Sequence, residues 1–389
     1  PVKEPGRSVV PNRHFGRIGE PNVALFVDAL EHLSGVAVSI SNWTEGAARK
    51  NLNLTVHTSG STAFDHSVSF APIGTLSIKN YDGLCIPVPE VKDVLRYMED
   101  VSFDIVHVST PGPMGIMGKM IGEHLGLPVY GTYHTDFPRY STLLTGTPEI
   151  EIAAWEFMRS FYGTMDRIAA PSEGTRRDLI ANGFDGDRIS VVGRGVDAET
   201  FDPEFRDEEL RRTWFPDRPK KLLYVGRVSE EKNLDCLAYA FQQLIQNHED
   251  VCLVVVGSGP YLEPLKTKLQ GFPAVFTGRK EGEELSRIYA SCDLFVFPSE
   301  TDTFGIVLLE AQASGLPVIV SGKGGAAASV EPEMTGLIVP EMNPESLRLT
   351  ISGLLDAPGR IESMKNAART HAMKNTPQKS FETFWSFHR

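Results

Sequence analysis

From Asn22 onward, short and almost continuously apolar runs alternate with longer stretches of helical periodicity. NVALFVD (22–28), NLTVHTS (53–59), FDIVHVS (103–109), LPVYGTYH (127–134), DRIAAPS (166–172) and RISVVG (188–193) are rich in β-branched residues and bounded by Gly, Pro or Ser. Runs of this kind predict strands covered on both faces, as in a parallel sheet. PEVKDVLRYMED (89–100) and GPMGIMGKMIGEHLG (112–126) are helix-length connections between them. The repeated strand–helix order predicts an α/β doubly wound fold.

The pattern pauses at GVDAETFDPEFRDEELRRTWFPDRPK (195–220), a charged segment with no buried strand that reads as a crossing between domains. A second series follows: KLLYVGR (221–227), DVCLVVVG (250–257), AVFTG (274–278), DLFVFPS (293–299), LPVIVS (316–321) and GLIVP (336–340). The expected organisation is one Rossmann-like domain over 1–195, irregular at 1–20, and a second over 196–375. The terminal segment 376–389, with KSFETFWSFHR, is expected to be a helix packing its aromatic residues back on the body, the N-terminal domain being one candidate surface.

Composition agrees with two soluble domains. A chain of 389 residues exceeds one core of ordinary size, and 41% apolar with 23% charged residues is a globular balance. A net charge of −12 argues against nucleic acid as a partner held by bulk attraction. No apolar run is long enough to span a bilayer. The start, PVKEPGRSVVPNRHFG, has no apolar core of a secretory signal, and without an initial Met it reads as processed or cut from a longer chain. Cys85, Cys236, Cys252 and Cys292 form no CxxC pair, which favours reduced thiols in a cytoplasmic protein over disulfides or zinc.

Ligands of doubly wound domains bind beyond the carboxyl ends of the strands, so the residues just after each run carry the chemistry. YVGRVSEEKN (224–233) places Arg227 and Lys232 after Gly226. A guanidinium grips phosphate through two N–H groups and an ammonium adds a point charge. The competing reading is a solvated charged loop, suggested by Glu230 and Glu231. VVVGSGP (254–260), with Gly257, is half a dinucleotide fingerprint, and no GxGxxG follows the first strand, which argues against a nicotinamide cofactor. In SGKGGAAASV (321–330), Gly322, Gly324 and Gly325 permit close backbone approach to a ligand before a following helix; a tight turn is the alternative.

SETDTFGIVLLEAQASG (299–315) holds two acids eight positions apart around an apolar run. A helix starting near Phe304 or Gly305 and ending near Ser314, with Gly315 just beyond, explains that run if neighbouring elements cover it. Asp302 then precedes the helix, where it either caps the N-terminus or meets a ligand. Glu310 lies about two turns in, a position suited to buried hydrogen bonding. The N–H groups of the first turn, Phe304 and Gly305 included, offer a place for phosphate. His134 ends a strand beside Asp136 and a Phe-Pro-Arg-Tyr rim, as a functional or merely structural histidine; His107 sits inside a strand and reads as core.

GRVSEEKNL, VVGSGP and FPSETDTFGIVLLEAQASGLPVIVSGKGG resemble the retaining nucleotide-sugar glycosyltransferases of family 4. LFVDALEHLSGVAVSISN, FDIVHVSTPGPMG and GTYHTDFPRY extend the likeness, more loosely, to roughly residues 20–375. The resemblance implies a GT-B fold, two Rossmann-like domains facing a central cleft. It implies transfer of a hexose from a nucleoside-diphosphate sugar of the GDP-mannose or UDP-glucose type to an acceptor hydroxyl, with retention and without metal. No cofactor is implied beyond this co-substrate. Arg227 and Lys232 match a basic pair on the diphosphate, and Glu310 an acid on the ribose. Asp302 matches an acid on the transferred sugar that is commonly Glu, one methylene longer. Phe304, Gly305 and Ile306 match a segment facing sugar and phosphate; Gly35, Gly226 and Gly257 match glycines around the donor. His134 matches a histidine reaching the sugar, so the catalytic set implied is His134, Asp302, Arg227 and Lys232. Asp136, Arg139 and Tyr140 are acceptor-side candidates. Relatives of this kind often act on lipids or lipid-linked glycans, which implies peripheral contact with the inner face of a membrane. Arg49 and Lys50 are then either a docking helix or an ordinary solvated helix end. Two other readings stand beside this one: an epimerase or hydrolase using His134 and Asp136, and a non-catalytic nucleotide-sugar-binding partner.

Overall fold

The computed structural model describes residues 19–28, 35–60, 67–77 and 85–389. Of the stretch expected to be irregular at 1–20, residues 1–18 lie outside them. The first lobe is built on seven parallel strands: β1 (Val23–Phe26), β2 (Leu54–Ser59), β3 (Ser67–Phe70), β6 (Ile105–Val108), β7 (Val129–Thr132), β8 (Arg167–Ala170) and β9 (Ile189–Val191). Their order is β3-β2-β1-β6-β7-β8-β9, and an antiparallel pair, β4 (Pro72–Ser77) with β5 (Cys85–Pro89), stands apart. The second lobe has six parallel strands: β10 (Lys220–Val225), β11 (Val251–Val256), β12 (Ala274–Gly278), β13 (Leu294–Phe297), β14 (Val318–Ser321) and β15 (Gly336–Val339), ordered β12-β11-β10-β13-β14-β15.

Each predicted apolar run became a strand, because helices cover both faces of each sheet. All six side chains of Val251–Val256 are buried, as are those of Leu294–Phe297 and Val318–Ser321. Three strands were not foreseen. Ser67–Phe70 is short with alternating exposure, and the β4–β5 pair sets Pro72 opposite Pro89 at one end of its register and Pro87 opposite Thr75 within it, so neither has the continuous apolar signature. The crossing segment holds no strand but does hold a short helix, Glu208–Thr213, capped by Asp207.

The terminal helix, Pro377–Phe387, packs on the first-lobe helix Gly35–Arg49. Phe384 stacks on Trp43 with ring centres 3.9 Å apart, and Phe381 is buried beside it. Lys50 pairs with Glu382 at 2.7 Å and lies 5.9 Å from the Phe381 ring centre, while Arg49 lies 4.0 Å from Glu45 of its own helix. Lys50 therefore ties the terminal helix to the first lobe. Cys236, Cys252 and Cys292 are free and buried. No helix of the described residues is long and apolar enough to cross a membrane.

Candidate active site

In the second sheet the chain starts at β10 and winds outward in both directions, so β10 and β13 flank the switch point where such sheets bind ligands. Two loops leave there, one after each strand. After β10 the chain passes Gly226 and Arg227, whose carbonyl accepts the Tyr224 hydroxyl at 2.8 Å. The Val228 N–H donates to the Ser258 carbonyl at 2.9 Å, drawing the next glycine loop against this one. Gly257 has φ +142°, and a Cβ there would lie 1.9 Å from the Gly226 carbonyl oxygen. Close crossing of two backbones thus accounts for this glycine, whatever else it faces.

A single 3₁₀ turn, Glu230–Lys232, follows, and Asn233 at φ +54° opens the helix Leu234–Leu244. The solvated-loop reading fails at two of its residues. Glu231 is buried and accepts the Ser229 hydroxyl, and Lys232 is buried as well. The Lys232 ammonium lies 2.8 and 3.0 Å from the two oxygens of Asp302, and 3.5 Å from the Tyr140 hydroxyl. Burial, the largest influence, works against its charge, but Asp302 together with Tyr140 and Tyr224 holds the Lys232 pKa well above the usual value. A protonated lysine is fixed at the floor of the cleft.

The helix of the second loop runs Ile306–Ala313, entered through Gly305 at φ +72°. Asp302 does not cap it; the carboxylate is turned to Lys232 instead. Glu310 accepts the Tyr289 hydroxyl at 2.9 Å and keeps part of its surface open. Burial pushes its pKa up to about 7 against the opposing effect of that hydrogen bond. Of the three glycines after β14, Gly324 and Gly325 pack tightly against another loop. A Cβ at Gly325 would lie 1.8 Å from the Thr303 carbonyl oxygen, and one at Gly324 2.6 Å from that of Glu300. The Gly325 N–H donates to the Asp302 carbonyl at 2.7 Å. These glycines let one loop seat against the loop that carries Asp302, and the element after them is only the 3₁₀ turn Ala326–Ser329. Gly325→Ala is expected to displace Asp302, cutting turnover at least tenfold and costing about 1–3 kcal/mol of stability, as measured by kinetics and thermal melting. Unchanged kinetics with unchanged melting would refute that placement.

The first lobe closes the other side. A Cβ on Gly35 would meet the Ile306 side chain at 3.6 Å, so the start of the Gly35–Arg49 helix faces the start of the Ile306–Ala313 helix across the cleft. The Thr303 hydroxyl donates to the His134 carbonyl at 2.7 Å, and Thr175 donates to the Thr303 carbonyl at 3.0 Å. Arg139 donates to the Glu300 carbonyl at 3.3 Å and pairs with Asp136 and Asp178. Asp136 caps the helix Phe137–Thr145, with burial lifting its pKa to about 6. Asp136 and Arg139 line a polar cavity of about 90 Å³ with Glu151, Trp155, Asp178 and Asn182. Tyr140, the third acceptor candidate, reaches Lys232 instead of this cavity. His134 is buried, and its Nδ1 receives a hydrogen bond from Arg194. Thr303, Thr175 and Arg194 were missed from sequence. Arg194 lies just past the carboxyl end of β9, so the rule that found Arg227 could have found it.

The chain matches two family models, "Glycosyltransferase Family 4" over residues 33–200 and "Glycosyl transferases group 1" over 205–371. It is 31% identical to a GDP-mannose-dependent alpha-mannosyltransferase of Corynebacterium glutamicum, over 84% of this chain and 78% of that protein. The chain belongs to glycosyltransferase family 4. This family 4 protein is also 35% identical to the sulfoquinovosyl transferase SQD2 of Arabidopsis thaliana, over 69% of its own length. It spans 49% to 65% of the length of SQD2 and two mycobacterial mannosyltransferases. The crystal structure of Anabaena HepE with UDP and glucose superposes with a TM-score of 0.74 at 17% identity, covering 94% of this chain and 98% of that one. That likeness establishes the GT-B fold.

Proposed function

We propose that this family 4 protein transfers a hexose from a nucleoside-diphosphate sugar to an acceptor hydroxyl, with retention and without metal. The observation that carries the reading is the Lys232 ammonium set 2.8 Å from Asp302 at the switch point. A sugar diphosphate needs cationic charge for its phosphates and carboxylate acceptors for its hydroxyls within one ligand's length. Arg227 and Lys232 supply the first, Asp302 and Glu310 the second. As the glycosidic bond breaks, charge grows on the leaving diphosphate. The two cations and the N-terminal end of the Ile306–Ala313 helix are placed to stabilise it, a role a divalent ion would otherwise fill.

The acceptor belongs, in this reading, on the first lobe beside Asp136 and Arg139. An acceptor with a lipid part is supported by exposed apolar side chains nearby, Phe137, Ile150, Ile152 and Phe157, and the same surface supports peripheral membrane contact. The epimerase or hydrolase reading is not favoured. His134 is bound to Arg194, and Asp136 to Tyr133 and Arg139, so the two do not form an acid–base couple.

Calorimetry and thermal shift with UDP-glucose, GDP-mannose, UDP and GDP, in chelator, test the donor site. Micromolar binding of one base series is expected. Proton NMR of the glycosylated product then reads the anomeric configuration. No binding of any nucleotide would sink the transferase reading, and binding without transfer to any hydroxyl would leave a nucleotide-sugar sensor.

A further inference from the structure

Arg194 lies between β9 and the crossing segment, buried to 7% exposure, and the backbone on either side of it is held by the terminal helix and by the turn that leads into that helix. The Ser380 hydroxyl donates to the Gly193 carbonyl at 2.8 Å, and the Val196 N–H donates to the Asn375 carbonyl at 2.9 Å. The guanidinium carbon lies 5.9 Å from the centre of the Trp43 ring, which itself stacks on Phe384. One face of this arrangement touches His134: Arg194 Nη2 stands 2.5 Å from His134 Nδ1.

An arginine side chain has donors and no acceptor, so His134 Nδ1 must present its lone pair. The ring proton of the neutral imidazole is then on Nε2. Burial, followed by the adjacent Arg194 cation and then His107, holds the His134 pKa well below the usual value, so a second proton does not enter. Burial also lowers the Arg194 pKa, to about 10, which leaves the guanidinium charged at neutral pH. Among the described residues, His134 Nε2 and Arg194 Nη1 are both buried and without a hydrogen-bond partner. A buried N–H left unpaired costs about 1–3 kcal/mol. That cost is recovered when a ligand supplies an acceptor oxygen.

We propose that Arg194 is a positioning residue for transfer: it fixes His134 as the neutral Nε2–H tautomer, so that the imidazole donates a hydrogen bond to an oxygen of the donor's sugar. This rests on the donor-site reading given under the proposed function. In this form His134 is a donor at Nε2 and has no lone pair there to act as a base. Trp43, seated on Phe384 of the terminal helix, is the platform under the guanidinium. The terminal helix thereby supports the sugar end of the cleft.

Nitrogen-15 NMR of the ligand-free protein tests the tautomer independently of any donor. The His134 signal is identified by its absence in His134→Gln. Wild type is expected to show a pyridine-type Nδ1 and a pyrrole-type Nε2. Arg194→Met should produce a tautomer mixture, Arg194→Lys should restore the single form, and Arg194→Gln, whose amide donates or accepts, serves if the Met variant does not fold. In kinetics, Arg194→Met should lower kcat about tenfold, the worth of one hydrogen bond, with donor KM changed less than twofold. In a His134→Ala background the Arg194 substitution should cost nothing further. An Nδ1–H wild type, or an unchanged tautomer in Arg194→Met, would overturn the proposal. So would full additivity of the two substitutions, which would mean that Arg194 acts on substrate or fold by itself. If the tautomer behaves as expected but no nucleotide sugar is bound, the donor-site reading has failed and the Arg194–His134 relation stands.

Discussion

Under the proposed function, Lys232→Ala is expected to reduce kcat/KM by about a hundred- to a thousandfold, because a buried cation stabilising a leaving diphosphate accounts for about 3–4 kcal/mol of transition-state stabilisation. The loss should fall on donor binding and turnover together. Fold stability responds differently. Lys232 is buried and paired with Asp302 at 2.8 Å, but the Asp302 side chain is 21% exposed. When the lysine is removed, that carboxylate can hydrate, so melting should change by only a few degrees. Arg227→Ala tests the neighbouring charge and should also weaken UDP or GDP binding in calorimetry. A Lys232→Ala protein with wild-type affinity for the nucleotide diphosphate would remove the central observation of the proposed function.

Glu310→Gln should stabilise the free protein and damage donor binding at once. The carboxyl is raised from its ordinary value to about 7 by burial. A raised pKa means that the neutral form is favoured in the folded state. Its stability contribution is therefore present below about pH 4.5 and is lost as pH rises through about 7. At pH 8 the ionised carboxylate costs the fold about 2 kcal/mol, after a discount for its partial exposure. Glutamine removes that cost, and melting at pH 8 should rise by about 4 °C, with the difference gone below about pH 4. Donor binding has the opposite sign, since a carboxylate accepts two ribose hydroxyls and an amide only one. Affinity for the nucleotide should fall about tenfold in Glu310→Gln at pH 8. In wild type it should strengthen as pH rises from 6 to 8, with proton release detectable from the buffer dependence of the binding heat. A donor affinity flat across that range would detach Glu310 from the ribose.

Stability and function are thus set against each other at both acids. Asp302 is tolerated because Lys232 offsets its charge. Burial favours the neutral form of Glu310, against the Tyr289 hydrogen bond, on a helix with apolar neighbours. Such placements are what the proposed function requires of a site that receives a ligand with several charges.

The sequence by itself determined the doubly wound architecture and the two loops that carry charge. Strands buried on both faces require unbroken apolar runs, and that requirement is met by residues adjacent in the chain, as in Val251–Val256. The position of Asp302 and Glu310 around IVLL was legible for the same reason: a helix covered on most sides leaves a local signature. Tertiary structure alone decided what each charge meets. Lys232 finds Asp302 70 positions away, His134 finds Arg194 60 away, and Thr303 reaches the His134 carbonyl across 169. It also decided that Gly324 and Gly325 serve the seating of a loop, that Lys50 holds the terminal helix, and that Tyr140 stands with Lys232. Periodicity records only which face of an element is covered. Which side chain covers it depends on how the two sheets bring their switch points together, and that is written in no short stretch of the chain.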